Sequence, residues 1–180
     1  DNRYGIIDGS GNIVIEPNYD VIQIPNPAKP IFVCMSNYNT ETKEFETKVL
    51  NEKREQIFTG YESVQAIPTA TTKDGNPFEK TVLKYKKDGK YGLINIDGKE
   101  VTDPIYDDIS AVTYKEGMFL VTIDGKQGII NLNGVEVIKP EYDNIAVDNY
   151  YNVDTKYQKT GFIVCTREEE GYRKSEAKRS

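Results

Sequence analysis

Residues 91–109 read YGLINIDGKEVTDPIYDDI, and residues 127–145 repeat that pattern without a gap as QGIINLNGVEVIKPEYDNI. Residues 4–22, YGIIDGSGNIVIEPNYDVI, fit the same frame. A worn fourth copy occupies residues 48–64, KVLNEKREQIFTGYESV, with Arg54 where the other copies have the turn glycine. Self-similarity of this kind predicts one small structural unit stacked several times, since a single unit cannot bury its own apolar face.

Every copy keeps a tyrosine followed by an acid at the same offset. These pairs are Tyr19-Asp20, Tyr61-Glu62, Tyr106-Asp107 and Tyr142-Asp143, with the tyrosines spaced 42, 45 and 36 residues apart. In three copies a proline stands two residues before the tyrosine. The pattern indicates a recurring corner in the chain.

Short apolar runs before the later copies are typical of buried strands, being rich in β-branched and aromatic residues and bounded by turn signals. They cover residues 31–35, 81–85, 118–123 and 162–166. Asp-Gly, Ser-Gly and Asn-Gly dipeptides between the segments supply the positive φ angles of tight hairpins. We therefore predict an all-β chain of tandem antiparallel β-meanders, about four repeats of 36–45 residues each. Each repeat has three strands and a short fourth strand after the corner.

The repeat resembles the WG repeat family of bacterial proteins, whose pattern runs aromatic-Gly-hydrophobic-Ile, a polar pair with Gly, a Val-Ile strand and Pro-x-Tyr-Asp. The resemblance extends from Tyr4 to about Asp143, with Tyr4, Tyr91 and Gln127 at the signature tryptophan, so the chain is similar to a divergent member. It implies a β-rich repeat protein of the cell envelope or extracellular space, with a binding role. It implies no enzymatic activity and no catalytic residues.

The repeat boundaries allow two architectures, a small propeller-like ring and an open array. We expect one domain over residues 1–172 and a charged tail over residues 173–180. The domain divides into repeats at about 4–30, 31–67, 81–112 and 118–147, with a last strand at 162–166 that would close a ring by completing the first repeat. One competing interpretation is a helix over residues 43–58, where apolar residues also recur at helical spacing.

Composition excludes several functional classes. A net charge of −6 argues against nucleic-acid binding, and no apolar run is long enough to insert into a membrane as a helix. The absence of histidine removes His-dependent triads and His metal sites, so we expect no metal and no cofactor. Cys34 and Cys165, at corresponding positions of two strands, are interpreted as small core residues because no histidine can activate them.

Two recurring features invite a ligand-binding interpretation. The corner carboxylates could form a ring that holds a cation or ligand, but an acid in a corner usually accepts backbone N–H bonds, so the corners are interpreted as structural. Asp8 and Asn12 begin like a calcium loop, yet Ile13 and Tyr19 stand where that loop needs glycine and a bidentate Glu. A hairpin turn is predicted there instead.

Three irregular insertions are the candidate binding loops, because binding residues concentrate on loops held by a rigid scaffold. They are residues 36–44 with Tyr38, residues 68–79 with Phe78, and residues 148–159 with Tyr150, Tyr151 and Tyr157. Exposed tyrosines and phenylalanines suit a protein partner or a sugar ring, and solvated loops whose aromatics fold back on the sheet are the alternative.

The sequence predicts a non-enzymatic binding or scaffold module with a protein partner favoured over a glycan of the cell envelope. The remaining alternative is a carbohydrate-active enzyme with two carboxylates, one of them with a raised pKa. Acids such as Asp103, Asp107 and Asp108 are plentiful, but their spacing does not place two across a cleft. The oligomeric state stays open.

Overall fold

The computed structural model describes residues 2–69, 74–113, 115–152 and 157–166. These residues form fifteen β-strands and no helix. The first seven strands are β1 Tyr4–Ile7, β2 Ile13–Tyr19, β3 Val21–Gln23, β4 Phe32–Asn39, β5 Glu44–Leu50, β6 Gln56–Ile57 and β7 Ser63–Pro68. The remaining eight are β8 Phe78–Lys87, β9 Lys90–Asn95, β10 Asp108–Ala111, β11 Met118–Ile123, β12 Lys126–Asn131, β13 Glu136–Tyr142, β14 Asn144–Asn152 and β15 Tyr157–Cys165.

All strand pairs are antiparallel and form five small sheets. Their orders are β1-β2, β3-β4-β5-β6, β7-β8-β9, β10-β11-β12-β13 and β14-β15. In the third sheet two isolated bridges, Tyr91 with Tyr106 and Ile94 with Glu100, stand where a fourth strand would lie. Each sheet after the first starts with the short strand that follows a Tyr-acid corner. The sheets are therefore displaced from the sequence repeats by one strand.

The array is open. Within the part of the chain that the structure describes, β15 pairs with β14 and not with β1, so residues 162–165 do not complete the first repeat. The predicted all-β repeat fold is confirmed, and of the two architectures the structure is the array. The helix considered for residues 43–58 is wrong, since this segment forms β5 and β6. Its apolar residues pack in the strands on either side of a turn.

The core lies between successive sheets. One central cluster joins the second and third sheets through Val33, Val49, Leu83, Tyr85 and Ile94. A second central cluster joins the third and fourth sheets, and smaller clusters lie at either end of the array. Each of the three internal sheets thus buries one face against the preceding sheet and the other against the next, which is the packing expected of repeat proteins.

The motif glycine marks a close approach between strands. A Cβ on Gly128 would lie 2.7 Å from both the Ile138 oxygen and the Pro140 nitrogen, and one on Gly5 would lie 2.4 Å from the Ile15 oxygen. The partner strands have a register shift at these points, because the proline before the corner forces a bulge. Only glycine fits against that bulge.

The turns after the Gly-hydrophobic-Ile strands share one hydrogen-bond pattern. Asp8 Oδ1 accepts the backbone N–H groups of Ser10 and Asn12 at 2.8 and 2.9 Å, which confirms the predicted hairpin turn. The equivalent residues Asn51, Asn95 and Asn131 each accept the N–H groups two and four positions later. The worn copy at residues 48–64 therefore keeps the turn of the other three copies.

The two cysteines differ in environment. Cys34 is buried, whereas Cys165 is exposed, so the core interpretation is wrong for Cys165. Their equivalence is also wrong by one residue: the Asp20 N–H bonds the Met35 oxygen and the Asp143 N–H bonds the Cys165 oxygen. Cys165 therefore corresponds to Met35, and a shift of one residue turns a side chain to the other face of a sheet.

Candidate functional site

A groove lies between two loops that enter equivalent strands of neighbouring repeats. Residues 24–31 lead into β4, and residues 74–77 lead into β8. The Asn76 side-chain amide donates to the Pro25 oxygen at 2.8 Å and to the Phe78 oxygen at 2.7 Å, which ties the two loops together. Asn26 supports the first loop by accepting the Ala28 N–H at 2.9 Å.

This groove, which we call the proline groove, measures about 730 Å³. Its lining is Ile22, Ile24, Pro27, Ala28, Lys29, Pro30, Phe32, Asn76, Pro77 and Phe78. Three prolines with fixed φ angles hold its walls, so little conformational freedom remains to be lost when a ligand binds. The lining is mostly apolar, and Lys29 is the one charged side chain among the described residues that form it. Such a surface suits an apolar segment better than a densely hydroxylated one.

Of the predicted aromatic residues, Phe78 lies in the proline groove, where it is partly buried. Tyr38 is 49% exposed and contacts Phe45, with ring centroids 4.8 Å apart. Tyr38 lies near the end of β4, whereas Phe78 begins the equivalent strand β8. The structure therefore places these two residues at opposite ends of equivalent strands and does not bring them together.

The third insertion is mostly strand rather than loop. Residues 144–152 and 157–165 pair as one long hairpin, in which Tyr150 is opposite Lys159, Tyr151 opposite Gln158 and Tyr157 opposite Asn152. The strand pairing extends the fold into what the sequence indicated as irregular chain. The side chains of Tyr150, Tyr151 and Tyr157 lie outside the described part of the structure, so their binding role stays a prediction.

The corner acids connect strands within and between repeats. Asp20 pairs with Arg3 at 2.6 Å, Asp143 pairs with Lys126 at 2.7 Å, and Asp107 pairs with Lys90. In each case the basic residue comes directly before the signature position.

The same acids also bind the turn of the next repeat. Asp107 accepts the Asp124 N–H at 2.7 Å, and Glu62 accepts the Gly89 N–H at 3.1 Å. The Lys90 ammonium and then the Asp124 N–H hold the pKa of Asp107 below its usual value. These contacts occupy the acids with the protein's own donors, as in a structural corner.

The corner tyrosines point into the interior. Tyr106 is 3% exposed, and burial raises its pKa. Tyr61 packs at 4.7 Å from the Tyr85 ring and donates its hydroxyl proton to Glu100 at 2.9 Å. Tyr19 and Tyr142 pack against the two end clusters. The four residues share one packing role.

One acid is out of place in the core. Glu79 is 5% exposed, and its Oε1 atom has no hydrogen-bond partner among the residues that the structure describes. Burial, and then the nearby Glu116 carboxylate, raise the pKa of Glu79, while a hydrogen bond from the Gly117 backbone lowers it. Two neighbouring carboxylates with one raised pKa are what the glycosidase alternative requires, but a substrate cannot reach a side chain so deeply buried.

Other chemistry finds little support in these residues. Within the described ranges no three His, Cys, Asp or Glu side chains lie close enough to hold a metal ion. Burial raises the pKa of the Cys34 thiol to about 11, which leaves it protonated and unreactive at neutral pH. Among the same residues no helix is long and apolar enough to cross a membrane.

Comparison with known families identifies the repeat. The family described as WG containing repeat matches residues 4–25, 91–126 and 128–152. These three regions are similar to WG repeats. No curated protein and no solved structure matches the chain. The worn copy at residues 48–64 lies outside the matched regions, although its turn and strands follow the same plan.

The signature position of these repeats carries no tryptophan, and in three repeats it contacts the neighbouring sheet through a polar group. Gln127 Oε1 accepts the Ile145 N–H at 2.7 Å, and Thr47, the equivalent residue in the worn copy, accepts the Val64 N–H at 2.9 Å. Tyr91 instead donates its hydroxyl proton to Glu44 at 3.0 Å. Each contact reaches the adjacent sheet, which the sequence motif alone does not reveal.

The sequence did not identify the proline groove as a site. The sequence predicts Phe78 as the aromatic of a binding loop, but no sequence prediction involves Pro27 or Pro30. The available signal was the proline-rich run at residues 25–30. This run is recognised as one wall of a groove only in the structure, where the Asn76 side chain bonds the Pro25 oxygen.

Proposed function

We propose that the chain is a non-enzymatic binding module that holds an apolar segment of a protein partner in the proline groove. The observation that supports this is a preformed, proline-walled groove between two repeats, tied by the two hydrogen bonds of Asn76. Protein interfaces have an apolar centre and a polar rim, and here Lys29 supplies charge beside the apolar lining.

A glycan-binding domain is the alternative within the binding class. Sugar sites need flat exposed aromatic faces beside converging polar groups. Phe78 is partly buried, and the lining offers few polar side chains beyond Asn76, whose amide already bonds two backbone oxygens. These features favour a protein segment.

The test compares three versions of the protein as baits for proteins of its source organism. Ile24→Asp places a charge in the groove at a side chain that is 38% exposed, so the fold tolerates it. Tyr38→Ala is the matched control at the other end of the equivalent strands. A partner retained by wild type and by Tyr38→Ala but lost by Ile24→Asp supports the groove.

The opposite pattern, with loss only in Tyr38→Ala, would move the site to the β4–β5 hairpin and contradict the proposal. A glycan array with the same three proteins separates the alternative: saccharide binding that Ile24→Asp abolishes would identify a sugar site instead.

A further inference from the structure

The loop that forms one wall of the proline groove holds the backbone of Lys29 in a fixed position. Pro27 and Pro30 lie on either side of Lys29, and each proline fixes one φ angle of the loop. The Lys29 N–H donates to the Asn26 oxygen at 3.0 Å, and the Lys29 oxygen accepts the Ile31 N–H at 2.9 Å. Both polar groups of the Lys29 backbone are therefore bonded within the loop, so the residue is ordered before any partner binds.

The Lys29 ammonium group lacks an acidic partner. Its side chain is exposed, and within the described residues it forms no ion pair. Of the two loops that form the groove, residues 24–31 contain no acid, and residues 74–77 contain only Asp74, which pairs with Lys80. Residues 70–73, with the sequence ATTK, contain no acid either. The groove thus keeps an unpaired cation in a chain whose net charge is −6.

The surroundings of this cation define the charge that a partner needs. The other lining side chains of the proline groove are neutral, and most of them are apolar. An apolar wall keeps water from one side of the ammonium group, which strengthens its attraction for a carboxylate relative to open solution. A cationic segment would be repelled at the same place. A carboxylate beside apolar residues is therefore the complementary chemistry.

The prolines also restrict how a partner can be recognised. Pro27, Pro30 and Pro77 have no backbone N–H, so the walls of the groove cannot pair with a segment in the way that a sheet edge does. Recognition then depends on the fit of apolar side chains and on the charge of Lys29. The charge has the further effect of fixing where along the groove a segment stops.

We propose that the protein segment bound in the proline groove carries a carboxylate next to its apolar residues, and that this carboxylate pairs with Lys29. The inference rests on the proposed function and adds the charge of the partner to it. Either an acidic side chain or the free C-terminus of the partner supplies the group, because both present the same two oxygens to an ammonium group.

Binding of four pools of synthetic octapeptides tests the proposal. Every peptide has three positions drawn from leucine, isoleucine, valine, phenylalanine and proline, four positions of serine or glycine, and one test position. The test position is aspartate, asparagine or lysine in three pools with both ends blocked, and asparagine with a free C-terminal carboxylate in the fourth. Fluorescence anisotropy of labelled peptides measures the affinity of each pool for the protein.

Wild type should bind the aspartate pool roughly two- to five-fold more tightly than the blocked asparagine pool, as expected for an ion pair at a surface, and the lysine pool should bind weakest. Salt at 1 M should remove most of this preference, because the Debye length is then about 3 Å. Tighter binding of the fourth pool than of the aspartate pool would assign the carboxylate to a chain end, and the reverse order would assign it to a side chain.

Three variants complete the experiment. Lys29→Glu should reverse the order of the aspartate and lysine pools. Lys87→Glu is the matched control, since Lys87 is exposed, forms no ion pair with the described residues and lies at the end of β8 remote from Phe78. This control should keep the wild-type order. Ile24→Asp should weaken the binding of every pool.

The outcomes separate this inference from the proposed function. Equal binding of all pools by wild type, or an unchanged order in Lys29→Glu, would overturn the pairing with Lys29. If Ile24→Asp still weakens the binding of every pool, the apolar groove itself remains a binding site. Absence of binding by wild type to all four pools would overturn both proposals.

Discussion

Single residues decide how closely neighbouring strands approach each other. Gly128 has no free space for a Cβ because the backbone of Ile138 and Pro140 passes within 2.7 Å of that position. Glu79 is the reverse case, a buried acid that the local packing does not satisfy. Both features depend on contacts with residues that are not adjacent in the sequence.

Gly128→Ala should destabilise the protein by about 2–3 kcal/mol, because overpacking against the backbone has no flexible side chain to absorb it. Gly161→Ala is the matched control, a strand glycine whose added Cβ would have no heavy atom within 4 Å. Urea unfolding followed by circular dichroism measures both. Equal midpoints for the two variants would show that the contact at Gly128 relaxes freely.

Glu79→Gln should stabilise the protein at pH 7 and lose that advantage in acid. The raised pKa of Glu79 means that the folded state holds its proton more tightly than the unfolded state. Its unfavourable contribution is therefore absent below the unfolded pKa of about 4.3 and develops as pH rises through the folded pKa. Unfolding free energies of both proteins from pH 4 to pH 7 check this, and parallel pH profiles would contradict it.

At the scale of elements, the repeated turn tolerates a poor residue when that residue forms other bonds. Arg54 stands at the turn-glycine position with φ of 65°, where Gly11 and Gly98 have 86° and 87°. Its guanidinium donates to the Val14 oxygen at 3.0 Å and to the Ile13 oxygen at 2.8 Å. The side chain thus links the second repeat to β2.

Arg54→Gly should be more stable than Arg54→Ala by about 1–2 kcal/mol. Both variants lose the bonds to β2, but only alanine keeps a Cβ in a left-handed conformation. Thermal unfolding of the pair gives the difference. Equal stability would mean that the turn changes its conformation when the arginine is removed.

The sequence predicted the elements well where a local pattern defines them. The apolar runs at residues 81–85 and 118–123 lie in strands, as does the run at 31–35 except for its first residue, and the Asx-type turns fall where the dipeptides indicated. The proline groove is not predicted from the sequence, because Pro27 and Phe78 are distant in sequence and line one groove only after the chain has folded. The sequence also predicted a loop over residues 148–152, since their polarity hides a strand pairing that the partner strand supplies.

At the scale of the whole molecule, local stability against unfolding should be highest in the central sheets of the array. The second, third and fourth sheets each pack against neighbours on both faces, whereas β1 and β2 have a neighbour on one side. The choice between ring and array also belongs to this scale. It depends on the rotation accumulated over several unequal repeats, which no single motif encodes.

Native-state hydrogen exchange at low protein concentration should therefore show a gradient. Amides of Leu83, Leu93 and Ile130 are expected to exchange slowest, at rates set by global unfolding, and those of β1 much faster. Uniform protection along the chain would instead show one cooperative unit.

The displacement of the sheets from the sequence repeats has a consequence for how such a chain can grow. A gene segment that is duplicated at motif boundaries adds three strands of one sheet and the leading strand of the next. The sheet of the new copy thus takes its first strand from the preceding repeat. The last strand of the new copy in turn becomes the first strand of the next sheet. A repeat inserted in this way already shares a sheet with each neighbour. A longer gene therefore gives a longer array, and no new interface between repeats has to evolve.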